Sequence, residues 1–188
     1  MNTTRARTAT ITIALFLFLG AASVYGILPR VPMLAHADEA IPPEICFRPG
    51  PISCTALVIK EIDSAARTID FEAYSLTDMR IIDALNRAAT RGVKVRSVVD
   101  RHSALAGMLP GQVEVDCKSA IHHSKVLIID NESTGTGSLN FSYSAEYHNT
   151  ENHIWIHDAT VAAAYAADFE TQVLRSVSGT KCPEGARR

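Results

Sequence analysis

The sequence predicts an α/β domain in which a mixed, mostly parallel central β-sheet carries helices on both faces. Three observations support this. Between Thr55 and Val99 the hydrophobic pattern runs helix, strand, helix, strand, the rhythm of an α/β layer structure. Lys125 to Ile129 is apolar on both of its faces, as expected of a central strand covered on each side. Finally, 188 residues with 47% apolar and 20% charged side chains suit one globular domain with a short appendage and exclude a disordered chain.

The elements follow in order. Residues 1–37 read as a signal peptide: Arg5 and Arg7 precede the apolar run Ile11 to Leu19, and Ala35-His36-Ala37 offers small residues at the positions a signal peptidase inspects. Ala9 to Leu28 is also close to the length of a membrane span, so an uncleaved N-terminal anchor is the alternative, and the only route to a membrane partner. Gly20, Ser23, Gly26 and the Ala-x-Ala site favour cleavage and export to the periplasm or medium. Residues 38–53 hold four prolines with neither period and read as a lead-in. The catalytic domain is expected over 54–182. Leu57, Val58, Ile62, Ala65 and Ala66 recur at helical spacing, and Thr68 to Tyr74 alternates as a strand. Asp78 can cap a second helix, with Ile81, Ile82 and Leu85 on one face and Gly92 as its stop. Val93 to Val99, Gln112 to Val115, Lys125 to Ile129 and Glu151 to His157 read as strands. Asp158 can cap a last helix with Val161, Tyr165, Phe169 and Val173 on one stripe.

Cysteine and charge usage narrow the function. Cys46, Cys54, Cys117 and Cys182 all follow residue 37, and an even number in an exported domain suggests disulfides. Cys46 and Cys54 bracket the turn-forming stretch Phe47-Arg48-Pro49-Gly50-Pro51 and are the favoured pair. Cys117 and Cys182 either pair or remain as buried thiols. No Cys-x-x-Cys occurs, which argues against a zinc ribbon. Residues 38–188 carry 15 basic against 20 acidic side chains, a formal charge of −5. A polyanion site must therefore be a local patch; Arg91, Lys94, Arg96 and Arg101 are candidates, although a helix end and a strand edge also explain them.

The chemistry concentrates in one stretch. His123 and Lys125 stand two apart at the start of the buried strand, so both project from one face. Ser138 and Asn140 repeat that spacing after Gly137. An imidazole can attack phosphorus while an ammonium and neutral donors offset charge on the phosphoryl oxygens. The full spacing, His123-x-Lys125-x4-Asp130-x6-Gly137-Ser138-x-Asn140, is similar to the His-x-Lys-x4-Asp-x6-Gly-Ser-x-Asn pattern of the phospholipase D superfamily. Glu151 stands where that family places a carboxylate bonded to the nucleophilic imidazole. Cys46 to Thr55 resembles the entry of its small, exported, single-motif endonucleases, and the likeness covers most of residues 45–175.

The resemblance implies a phospholipase D-like fold and a phosphodiesterase working through a phosphohistidine, with no cofactor and no metal. It assigns catalysis to His123, Lys125, Ser138, Asn140 and Glu151, with Asp130 and Gly137 as structural support of the site. Asp130 is expected to hold the turn that follows its strand. The family chemistry uses two histidines. Of the seven here, only His123 begins a His-x-Lys, so a homodimer must bring two copies together. His122 reads as incidental, and His148, His153 and His157 fit no zinc spacing. A low-specificity endonuclease acting on nucleic acid is the favoured function. A phospholipase D-type hydrolase of phospholipid uses the same residues but wants a membrane-contact stretch, which 38–188 lacks. A non-catalytic exported binding module would have no use for the intact set of polar residues.

Overall fold

The computed structural model of the protein describes residues 44–185. The signal-peptide reading of 1–37 and the first part of the lead-in lie outside the described residues. Eight strands form one sheet: β1 (Glu44–Arg48), β2 (Thr68–Ala73), β3 (Lys94–Asp100), β4 (Gln112–Asp116), β5 (Lys125–Ile129), β6 (Ser133–Gly137), β7 (Glu151–Ile156) and β8 (Val177–Ser178). Their spatial order is β1-β7-β6-β5-β2-β3-β4-β8. The helices are α1 (Cys54–Ser64), α2 (Met79–Thr90), the single-turn α3 (Tyr143–Tyr147) and α4 (Ala159–Arg175), with a 3₁₀ turn at Ala106–Met108.

The sheet corrects the expectation of mostly parallel strands. Only β2–β3 and β3–β4 pair in parallel; β1–β7, β2–β5, β4–β8, β5–β6 and β6–β7 are antiparallel. Between β5 and β6 the reason is connection length. A parallel pair needs a crossover of a dozen or more residues, which the α2 unit supplies between β2 and β3. Asp130–Glu132 is all that joins β5 to β6, so β6 must turn straight back.

Helices do cover both faces. Alternate residues of β5 point to opposite layers: Leu127 and Ile129 join the core under α1 and α2, whereas Val126 and Ile128 pack with Val98 against Ala162 and Phe169 of α4. That two-sided burial is why the strand is apolar throughout. Ser53, Asp78 and Asp158 cap α1, α2 and α4 by accepting from backbone amides of the first turn, one side chain for each otherwise unpaired helix start. On α4 the buried stripe is carried by Ala162 and Phe169, with Tyr165 and Val173 partly covered.

Residues 44–48 of the lead-in form β1, which lies antiparallel on β7 with Cys46 opposite His153. Pro49 and Pro51 follow the strand and so do not interrupt its ladder. Cys46 bonds to Cys54, tying β1 to the start of α1, and Cys117 bonds to Cys182, tying the end of β4 to the chain beyond β8.

Candidate active site

The site forms where β5 begins. Ala73 of β2 pairs with Lys125, and Tyr74 N donates to Ser124 O at 3.1 Å. This register sets the Tyr74 ring 4.6 Å from the His123 ring, centroid to centroid. His123 itself is exposed, while Lys125 is buried. The Lys125 ammonium donates to His123 O at 2.7 Å and stands 5.1 Å over the Tyr74 ring. Burial pulls the proton affinity of Lys125 below its ordinary value, and the nearby Glu151 charge opposes that shift.

The second strand end comes from β6. Gly137 is required by a close approach: a Cβ there would run into Asn152 O and lie 2.9 Å from His153 Cα on β7. Ser138 follows and is held from both sides, its hydroxyl donating to Glu151 Oε2 at 2.5 Å and accepting from Asn152 N at 3.0 Å. Asn149 Nδ2 donates to the other Glu151 oxygen at 2.8 Å. The Asn140 side-chain oxygen is buried and unpartnered among the described residues. Thr77 N and Asp78 N both donate to Phe141 O, stitching this loop to the end of β2.

All five residues assigned to catalysis thus come from the adjoining ends of β5, β6 and β7. The Glu151 carboxylate is taken up by Ser138 and Asn149; no hydrogen bond among the described residues joins it to His123. Asp130 acts elsewhere than the turn after its strand. Its carboxylate accepts from Ala66 N, Arg67 N and Thr68 N at 2.9, 2.7 and 2.8 Å, locking the α1–β2 connection against β5. Burial raises its pKa, but the three amides and Arg67 outweigh that and leave it below the ordinary carboxylate value.

Two groups have more structure than their sequence suggests. His122 is buried: its amide donates to Asp100 Oδ2 at 2.9 Å, and its Nε2 lies 3.1 Å from Glu72 Oε2, a close contact with poor hydrogen-bond alignment. Anchored in this way, the chain presents the next side chain, His123, to solvent. Tyr74 had no distinguishing signal, because only the β2–β5 register places it beside the imidazole. The basic candidates separate. Arg96 is committed to Asp70 and Glu170, and Arg91 to Asp63 and two carbonyls of the α1 end. Arg101 has no carboxylate partner among the described residues and donates to Ser119 O. The three later histidines do not converge: His153 is buried under Trp155, whereas His157 lies near Glu44 and Glu61, where Lys60 already neutralises Glu44.

A family model described as cardiolipin synthase, PLD-like domain, matches residues 58–173. The chain belongs to this phospholipase D-like family. Among curated relatives, the protein named Phospholipase D of Rickettsia prowazekii is 39% identical over 132 residues, covering 66% of this chain and 64% of its own length. Its namesake from Rickettsia conorii is also 39% identical, with 66% of each chain covered. The chain therefore spans about two thirds of the length of these relatives. Among solved structures, the phospholipase D family member Nuc from Salmonella typhimurium superposes with a TM-score of 0.68 at 29% identity, over 74% of this chain and 99% of Nuc. NucT from Helicobacter pylori shares the fold, with a TM-score of 0.67 at 22% identity.

Proposed function

We propose that the protein is a phosphodiester hydrolase whose nucleophile is His123. The observation that carries this reading is the pairing of an exposed imidazole with a buried ammonium at one strand mouth, beside Ser138 and Asn140. His123 attacks phosphorus; a P–N bond forms as the P–O bond to the leaving group breaks, and the partner subunit's His123 protonates the departing oxygen. Water then cleaves the phosphohistidine, with that second imidazole as base. Lys125 and Asn140 offset charge on the non-bridging oxygens. Ser138 orients them, and Glu151 holds Ser138. No metal is needed for any step.

One His-x-Lys per chain makes the site a shared one, formed by a homodimer about a two-fold axis. The favoured substrate is nucleic acid, cleaved with low sequence specificity. Support comes from the likeness over nearly the whole length of Nuc, a domain of this size, and from the resemblance of the entry stretch to exported endonucleases. The two disulfides suit an oxidising compartment outside the cytoplasm. Hydrolysis of phospholipid diesters is the second reading, favoured by the 39% identity to proteins named Phospholipase D. Among the described residues no helix is long and apolar enough to cross a membrane.

The test offers plasmid DNA, RNA and a phosphatidyl lipid in parallel to purified protein in EDTA, with light scattering at the assay concentration. The expected result is nucleic-acid cleavage by a dimer, suppressed when inactive His123→Ala protein is mixed in. Lipid turnover alone would select the second reading. Activity abolished by EDTA and restored by magnesium or zinc, or full activity from a monomer, would overturn the shared-histidine mechanism.

A further inference from the structure

A cavity of about 680 Å³ opens among the segments that follow β3, β4 and β8, within the ~300–1,000 Å³ range of sites that take small molecules. His102, Ser103 and Ala104 line it, and the same three residues line a smaller recess with Tyr74 to Thr77. Tyr74 is the ring that stands 4.6 Å from His123. His102, Ser103 and Ala104 thus separate the cavity from the recess that Tyr74 lines beside His123.

Its charge is one-sided. Arg101 and Lys181 line it, and no acidic side chain does. Neither cation has a carboxylate partner among the described residues, since Arg101 donates only to Ser119 O and the neighbouring His102 ring. In a chain that is net acidic over residues 38–188, two cations without carboxylate partners facing one cavity make a local positive site that attracts an anion. The outer wall comes from the segment that follows the matched family domain. Thr180, Lys181 and Cys182 lie beyond the family domain, which ends at residue 173, and the Cys117–Cys182 bond fixes them against the end of β4.

We infer that this cavity is a second phosphate subsite, in which Arg101 and Lys181 hold the phosphate adjoining the scissile one on a polynucleotide strand. The inference rests on the proposed hydrolase reading and sharpens it. A substrate with regularly spaced phosphates fills both places, whereas a single phosphodiester fills only the first.

The experiment compares wild type with Arg101→Ala/Lys181→Ala. Binding of a fluorescein-labelled single-stranded oligonucleotide is followed by anisotropy across a salt series, and kinetics are measured on that oligonucleotide and on bis(p-nitrophenyl) phosphate. We expect at least ~10-fold weaker oligonucleotide binding and a salt dependence shallower by about 0.7 in log–log slope for each phosphate no longer held. The effect should appear in KM, and the fall in kcat/KM on the oligonucleotide should exceed that on the small diester by at least ~10-fold. Equal binding and an unchanged salt slope would overturn the subsite whether or not either protein cleaves. Equal losses on both substrates would also overturn it, by showing a general structural defect. Tight, charge-dependent binding without cleavage would retain the subsite and reject the hydrolase reading.

Discussion

His123 and Lys125 divide the work by exposure. The imidazole is open to solvent, whereas the ammonium is buried and pinned by the His123 carbonyl. On the proposed mechanism, replacing His123 leaves nothing to form the covalent intermediate, so His123→Asn should lower kcat at least ~10⁴-fold, equivalent to about 5 kcal/mol of barrier. Lys125→Ala should cost ~10²–10³-fold, the range for removing one stabilising group from a transition state. Glu151→Gln should be milder, because its nearest role is to fix the Ser138 hydroxyl. Acid-quenched wild-type protein should carry phosphate at residue 123, and phosphate elsewhere would reassign the nucleophile. That these residues stand at neighbouring strand ends was legible in sequence, because their fixed spacing follows the start of β5, the end of β6 and the start of β7. The burial of His122 and the placing of Tyr74 were not legible, because both depend on contacts between strands distant in sequence.

At the level of elements, the carboxylate of Asp130 does for the α1–β2 connection what a cap does for a helix: it collects three backbone amides at once. Asp130→Ala should therefore destabilise the fold by about 2 kcal/mol in urea denaturation, and Asp130→Asn by less, since one acceptor remains. Loss of activity without loss of stability in the alanine variant would instead give Asp130 a direct part in the chemistry. Helices and aliphatic strands were readable from their periods and caps. β6 was not. Its sequence, Ser-Thr-Gly-Thr-Gly, lacks the branched aliphatic signal of a buried strand. The small residues are there because Trp155 packs over the strand: a Cβ at Gly135 would run into the indole. The direction of β6 was equally hidden, for it follows from a connection, Asp130–Glu132, too short to cross the sheet.

For the whole molecule, one ionisable group that couples folding to pH lies away from the site. His153 is fully buried on β7 with both ring nitrogens unpartnered among the described residues, and burial pulls its pKa down to about 4. The unfolded chain takes up this proton near pH ~6.5 and the folded chain only near 4. Stability must then fall as pH drops through that window, by a total on the order of 3 kcal/mol below it. His153→Leu, similar in volume and without a proton to bind, should flatten the dependence of thermal stability on pH between about 6.5 and 4. A variant that loses stability with acid as steeply as wild type would show that His153 is not the coupling group.

The Cys117–Cys182 bond spans 65 residues, and that interval contains every residue assigned to catalysis, from His123 to Glu151. The site is thus enclosed in a covalent ring, worth about 4 kcal/mol of unfolded-chain entropy in the loop-closure model. During synthesis Cys182 is the last of the four cysteines to be made, so the short Cys46–Cys54 ring can close on a growing chain while the large one must wait. That second ring is what ties Lys181, one residue before Cys182, covalently to the end of β4. A chain kept among reduced thiols would therefore carry His123 without the covalent tie that holds Lys181 at the rim of the cavity.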